Sequence, residues 1–265
     1  VTLAYRESGS GPPVVLLHAF PLSAAMWVHQ YGPLGGMSRL VTPDLPGFGR
    51  SPSAEREPSV DLMADEVKGL LDQLGLDAVV LGGMSMGGYV TMAFLRRHPE
   101  RVRAIVLADT KAGADTEAAR ANRERIAEAL LTTGDTAALA EELVPTLVGK
   151  TTLQTRPRVV ELVRSHIRAG EPAAVAWAQR AMAARPDSVD TLRNARLPAL
   201  VIVGEEDVLT PPAEAEAMAS ALPDAELARV PRAGHLSALE HAAAFNDAIT
   251  SWLSNLTMDA PSAAR

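Results

Sequence analysis

Gly83-Met84-Ser85-Met86-Gly87-Gly88 stands between an apolar run over residues 78–84 and a stretch, 87–97, with the spacing of a helix. A serine at such a junction sits on a sharp strand-to-helix turn, and the glycines two residues to either side remove side chains that would collide there. The turn holds the Ser85 hydroxyl out above the edge of a sheet, with the N-terminal end of the next helix aimed at it. A bare Gly-x-Ser-x-Gly carries little weight; the strand before it and the helix after it give it meaning.

In both directions from this turn, short β-branched and leucine-rich runs alternate with longer helical stretches. Strands are predicted over 3–7, 14–18, 40–42, 78–84, 102–108, 199–203 and 226–230, and helices over 60–74, 87–97, 212–221 and 238–253. That alternation marks an α/β architecture, a mostly parallel, doubly wound sheet with helices on both faces. Leu239, Ala243, Phe245, Ile249 and Trp252 give the last helix its apolar stripe. One region breaks the rhythm. Residues 116–184 contain no strand candidate, only Ala-, Arg- and Glu-rich sequence punctuated at Gly134, Pro145, Pro157 and Pro172. The expected division is a core of 1–112 and 187–265 carrying a helical cap, 113–186, at the carboxyl edge of the sheet, where such folds bind ligands. Residues 258–265 read as a frayed tail.

Composition narrows the chemistry. With 265 residues and 47% hydrophobic side chains, the chain can bury one large core plus a small lobe. It has no cysteine, which excludes disulfides, thiolate nucleophiles and cysteine-held metals. The formal charge of −7 is mixed along the chain and argues against nucleic acid as a partner, favouring a small substrate that is not strongly anionic. No apolar run approaches the length of a membrane span. The expected location is the cytoplasm, with a removed secretion signal left open.

A serine hydroxyl needs a base to take its proton and an acid to orient that base. His235 follows Gly234 in the loop after the last strand and is the expected base; His29, His98, His166 and His241 read as structural or exposed, and His18 as a structural hydrogen-bonding residue. Asp207, just beyond the 199–203 strand, is the expected acid, with Asp109 after the 102–108 strand and Glu206 as alternatives. The oxyanion would be met by two backbone N–H groups, that of Met86 and that of Phe20 in His18-Ala19-Phe20-Pro21.

Together His18-Ala19-Phe20-Pro21, Asp44-Leu45-Pro46-Gly47-Phe48-Gly49-Arg50-Ser51, the turn around Ser85, the Gly204–Pro211 loop and Gly234-His235 resemble the α/β-hydrolase superfamily. The sequence is most similar to the branch of 3-oxoadipate enol-lactonases, small carboxylesterases and cofactor-free haloperoxidases. Ala19 departs from the glycine common in that branch, a change that narrows the oxyanion loop without removing its donor.

The resemblance implies hydrolysis of a small ester or lactone through an acyl-enzyme, with no metal and no cofactor. Perhydrolysis with haloperoxidase side activity and carbon–carbon bond hydrolysis are rival reactions on the same residues, and a non-catalytic ligand sensor is the rival of another class. Trp27, Met84, Trp177, Met182, Leu209 and Leu236 are the expected pocket residues, with core packing as the competing explanation of each. Arg120, Arg123, Arg125, Arg164 and Arg168 read first as a solvated helix face, although one could hold a substrate carboxylate.

Overall fold

The computed structural model describes residues 2–256, so residues 258–265 lie outside it. Its strands are β1 (Tyr5–Ser8), β2 (Pro13–Leu17), β3 (Arg39–Pro43), β4 (Val79–Met84), β5 (Val102–Ala108), β6 (Ala199–Gly204) and β7 (Ala225–Val230). They form one sheet in the order β1-β3-β2-β4-β5-β6-β7. β1 runs antiparallel to β3, and every other neighbouring pair is parallel. Parallel strands covered on both faces must be apolar on both sides, which explains why β4 and β6 are buried at every position and β5 exposes only Arg103.

The helices outside the insertion are α1 (Tyr31–Gly35), α2 (Val60–Gln73), α3 (Met86–Arg97), α9 (Val189–Asn194), α10 (Pro212–Ala221), α11 (Ser237–Glu240) and α12 (Ala242–Asn255). α2, α3, α9 and α10 pack as one layer, and α1 and α12 form the other. α3 lies against β2, β4 and β5 and is buried from Met86 to Leu95, which is why it reads as apolar all round. The predicted helix over 238–253 is two helices, α11 and α12. Glu240 turns back to accept from Gly234 N and Leu236 N, and His241, with φ −138° and ψ 63°, breaks the helical path.

Between β5 and β6 lie only helices: α4 (Glu117–Thr133), α5 (Thr136–Leu147), α6 (Lys150–Thr155), α7 (Pro157–Arg168) and α8 (Pro172–Ala183), followed by α9. Local chemistry sets their ends. Thr116 Oγ1 and Asp135 Oδ1 cap α4 and α5 by accepting from Ala119 N and Ala138 N. Gly134, at φ 65°, ends α4 in the left-handed conformation. Pro157 and Pro172 open α7 and α8, where a missing N–H costs nothing. Pro145 does not punctuate; it lies inside α5, within its last turn. α4 packs on α8 and α5 on α7, and the start of α6 is tied to the core where Gly149 N donates to Glu240 and Thr151 donates twice to Glu206.

The strand order reverses between β2 and β4, since β3 lies on one side of β2 and β4 on the other. A crevice opens at the carboxyl ends of strands at such a point. Pairing of Leu17 with Gly83 brings the segment after β2 beside the segment after β4. Among the described residues no helix is long and apolar enough to cross a membrane.

Candidate active site

Ser85 has φ 54° and ψ −112°, a conformation costly for any residue with a side chain. Its surroundings impose it. Ser85 N donates to Ala108 O of β5, while its carbonyl accepts from Gly88 N, Tyr89 N and Thr110 Oγ1. A Cβ on Gly83 would fall 2.1 Å from the Gly87 backbone, and one on Gly87 would fall 2.3 Å from Leu17 O. Strand and helix therefore cross at a distance that only glycine permits. Ser85 holds the N-cap position of α3 but its side chain caps nothing. The hydroxyl instead lies 2.7 Å from His235 Nε2.

His235 is fully buried, and its Nδ1 lies 2.8 Å from Asp207 Oδ2. Asp207 is itself held in a tight turn: Oδ1 accepts from Leu209 N at 2.8 Å and Thr210 N at 2.9 Å, and Oδ2 accepts from Thr210 Oγ1 at 2.7 Å. Burial works against the Asp207 charge, but His235 and these donors outweigh it and hold the carboxyl below its usual range. Burial likewise works against a charged His235, yet the Asp207 carboxylate prevails and raises the imidazole above its ordinary 6.5.

The alternative acids are committed to other partners. Asp109, also at positive φ, accepts from Gly204 N, Ser237 N and Ser237 Oγ, and burial followed by the Asp207 charge pushes it up to about 8. Glu206 is turned onto Thr151 of α6. His18 accepts from Leu45 N through Nε2 and donates through Nδ1 to Ala19 O, and burial lowers it to about 4. That geometry gives it a neutral, structural place beneath the loop carrying Phe20.

Met86 opens α3, so its N–H is among the amides that a helix start leaves without an intrahelical acceptor. Phe20, joined to Pro21 by a cis peptide bond, follows β2 on the neighbouring strand end. Phe20, Ser85, Tyr89, Lys111, Leu209 and Thr210 from the core face Asp115, Arg123, Ile126, Leu147, Gln179 and Met182 across a cavity of about 300 Å³.

Met182 and Leu209 thus lie on the cavity, as their positions in sequence suggest, and four other expected pocket residues do not. Trp27 packs into the core against Phe245, with ring centroids 6.1 Å apart. Met84 is buried at the end of β4, and Leu236, next to His235 in its loop, is buried in the core. Trp177 lies on another face of α8, where Nε1 donates to Arg56 O. Nearness in sequence to a catalytic segment misleads because successive strand residues face opposite ways and a helix presents one stripe. Of the insertion arginines, Arg123 reaches the cavity; Arg125, Arg164 and Arg168 pair with Glu141, Glu142 or Glu161 on the outer surface, and Arg120 holds Asp115 O. Thr210, Tyr89, Lys111, Asp115 and Gln179 had no predicted role. The Asp207-x-x-Thr210 spacing was the available signal for Thr210, since a short side chain three residues on can close such a turn.

Comparison with known proteins agrees with this architecture. A family model described as the alpha/beta hydrolase fold matches residues 12–242. The chain is 34% identical over 242 residues to a pimeloyl-(acyl-carrier protein) methyl ester esterase of Aromatoleum aromaticum, covering 87% of this chain and 93% of that one. Among solved structures it is similar to a thermophilic esterase from Thermogutta terrifontis, with 41% identity, a TM-score of 0.92, and 95% and 93% of the two chains covered. It is also similar to an enol-lactonase from Burkholderia xenovorans, with 27% identity, a TM-score of 0.87, and 95% and 96% covered. On this sequence and structural agreement, the chain belongs to the alpha/beta hydrolase fold family.

Proposed function

We propose that this protein is a serine hydrolase that cleaves a small carboxylic ester or lactone. The carrying observation is the continuous relay from Ser85 Oγ through His235 to Asp207, with contacts of 2.7 and 2.8 Å. Ser85 Oγ attacks the carbonyl carbon while His235 Nε2 takes its proton, and the oxyanion faces the N–H groups of Phe20 and Met86. The intermediate collapses as His235 returns the proton to the leaving alkoxide, releasing an alcohol or opening a lactone ring and leaving the acyl group on Ser85. Water, activated by the same imidazole, then cleaves the acyl-enzyme. Asp207 holds His235 with Nδ1 protonated and stabilises the imidazolium. The insertion, read as a cap over 113–186, walls the site on its outer side and shields it from solvent.

The esterase named among the relatives and the enol-lactonase among the similar structures support this class of substrate. Incubation with a fluorophosphonate followed by mass spectrometry should find one adduct, on Ser85. Ser85→Ala should lower hydrolysis of p-nitrophenyl butyrate by at least about 10³-fold without changing the melting temperature. Peracid formation or carbon–carbon cleavage outpacing every ester and lactone in a panel would assign a different reaction to these residues. A protein that neither labels nor turns over any of them is not this enzyme.

A further inference from the structure

The chain as a whole is acidic, but the cavity in front of Ser85 is not. Lys111, from the loop after β5, and Arg123, from α4, line it together with a single carboxylate, Asp115. Arg185 stands behind them. Both Asp115 oxygens are already committed: Oδ2 accepts from Arg123 Nε at 2.5 Å and Oδ1 from Arg185 Nη2 at 2.8 Å. Burial disfavours the Asp115 charge, but the two guanidinium groups overcome it and hold the carboxyl at about 2, so this site is one anion among three cations.

The three cations are not equally satisfied. Arg185 donates also to Met182 O and Gly113 O and lies 3.9 Å over the Tyr89 ring. Arg123 donates to Gln179 Oε1 at 2.9 Å. Lys111 Nζ is left with Asp115 Oδ1 at 3.5 Å, well beyond a charge-assisted hydrogen bond, on an oxygen that Arg185 already occupies. Lys111, its side chain about three-quarters withdrawn from solvent, thus brings to the cavity an ammonium with three donors and no close hydrogen bond to an anion. Structural needs are met without it, since Arg123 and Arg185 suffice to fix Asp115.

We propose that this end of the cavity is a carboxylate subsite, and that the substrate is a monoester of a short dicarboxylic acid or a lactone bearing a free carboxylate. The reacting carbonyl lies at Ser85 while the second carboxylate sits on Lys111 and Arg123. The proposal rests on the ester reading above and narrows it. A cavity of about 300 Å³ suits a short acyl chain, and its cations attract the anionic substrate against the charge of the whole molecule.

The test compares kcat/KM for monoethyl succinate, glutarate and adipate with that for neutral ethyl esters of matched chain length, followed by pH-stat. The wild type should prefer at least one acidic ester. Lys111→Met should lower the acidic-to-neutral ratio by about 10- to 100-fold, the range for losing a hydrogen bond to a charged group, and Lys111→Arg should retain most of the preference. An enzyme that hydrolyses neutral esters and discriminates against every monoanion, or a ratio unmoved by Lys111→Met, overturns the subsite alone. Failure to hydrolyse either series overturns the ester reading on which it stands.

Discussion

The loops that leave β5 and β6 each bury an aspartate close to the His235 loop, and the two carboxylates end in opposite states. Asp207 shares a hydrogen bond with an imidazole that can become its counter-ion, and is held below its usual range. Asp109 accepts from three neutral donors and, burial being dominant and Asp207 nearby, is raised to about 8. Similar burial of the same side chain thus yields a charged group in one loop and a neutral one in the other at pH 7. What decides is whether the partner can carry a positive charge; neutral hydrogen bonds do not compensate for desolvation together with a like charge next door. The loop after β6 sets its carboxylate against an imidazole, as a proton relay requires, and the loop after β5 pins two backbones, β6 at Gly204 and the start of α11 at Ser237.

The sharpest way to break this division is to neutralise each aspartate in turn. Asp207→Asn should lower kcat by about 10³- to 10⁴-fold, because the amide favours the wrong imidazole tautomer and cannot stabilise an imidazolium. Asp109→Asn should cost less than about tenfold, since it touches only neutral groups. Steady-state kinetics on one ester suffices, and the reverse ranking would exchange the roles of the two loops.

The pH profile sharpens the same contrast with a smaller change in rate. A base must be neutral to accept the Ser85 proton, so kcat/KM should rise with pH as His235 deprotonates. Because Asp207 raises His235 above its ordinary 6.5, the half-maximal rate should fall above that value. A profile flat through neutrality, or one already level at pH 6, would leave the imidazole without its assigned part.

How much of this was readable beforehand follows from what places each residue. The strands over 102–108 and the helix over 212–221 match the structure to the residue, because parallel burial leaves a continuous apolar run and Pro211-Pro212 marks a helix start. Ser85, Asp207 and His235 each follow a strand, so turn chemistry and fold order locate them without knowledge of packing. The insertion is different. Arg123 and Gln179 meet through the packing of α4 against α8, beside Lys111 and Asp115 of the loop after β5, and no local spacing announces a contact between positions 56 apart such as Arg123 and Gln179. Similarly, the break at His241 is caused by Glu240 reaching back to loop amides, a tertiary demand that overrode a regular apolar stripe.

Glu240 offers a further, milder test, because it spans the two kinds of region. Its Oε1 accepts from Gly234 N and Leu236 N, on either side of His235, while Oε2 accepts from Gly149 N of the insertion. Glu240→Gln keeps one acceptor but points an N–H₂ at a backbone donor. It should lower kcat/KM by about tenfold and destabilise the fold by about 1–3 kcal/mol, the cost of a buried group left unpaired. The same change removes a negative charge that helps raise His235, so the half-maximal pH should move down. An unmoved midpoint together with the stability loss would make Glu240 a strap and nothing more.

The smallest effect concerns Asp109 and is read from stability. In the unfolded chain its carboxyl loses a proton near its ordinary value of 3.8, but in the folded chain it keeps it up to about 8. Between those values the folded state binds more protons, so this group makes the protein less stable as pH rises across the window, with no further loss above it. An amide at this position has no such proton to lose. The melting temperature of Asp109→Asn relative to wild type should therefore climb by a few degrees from pH 5 to pH 8 and then level off. Its absolute value is less telling, because the amide leaves one of the Ser237 or Gly204 donors poorly matched at every pH. A difference that stays constant, or falls, over this range would mean that Asp109 is ionised in the fold, and the contrast between the two loops would then lie in geometry alone.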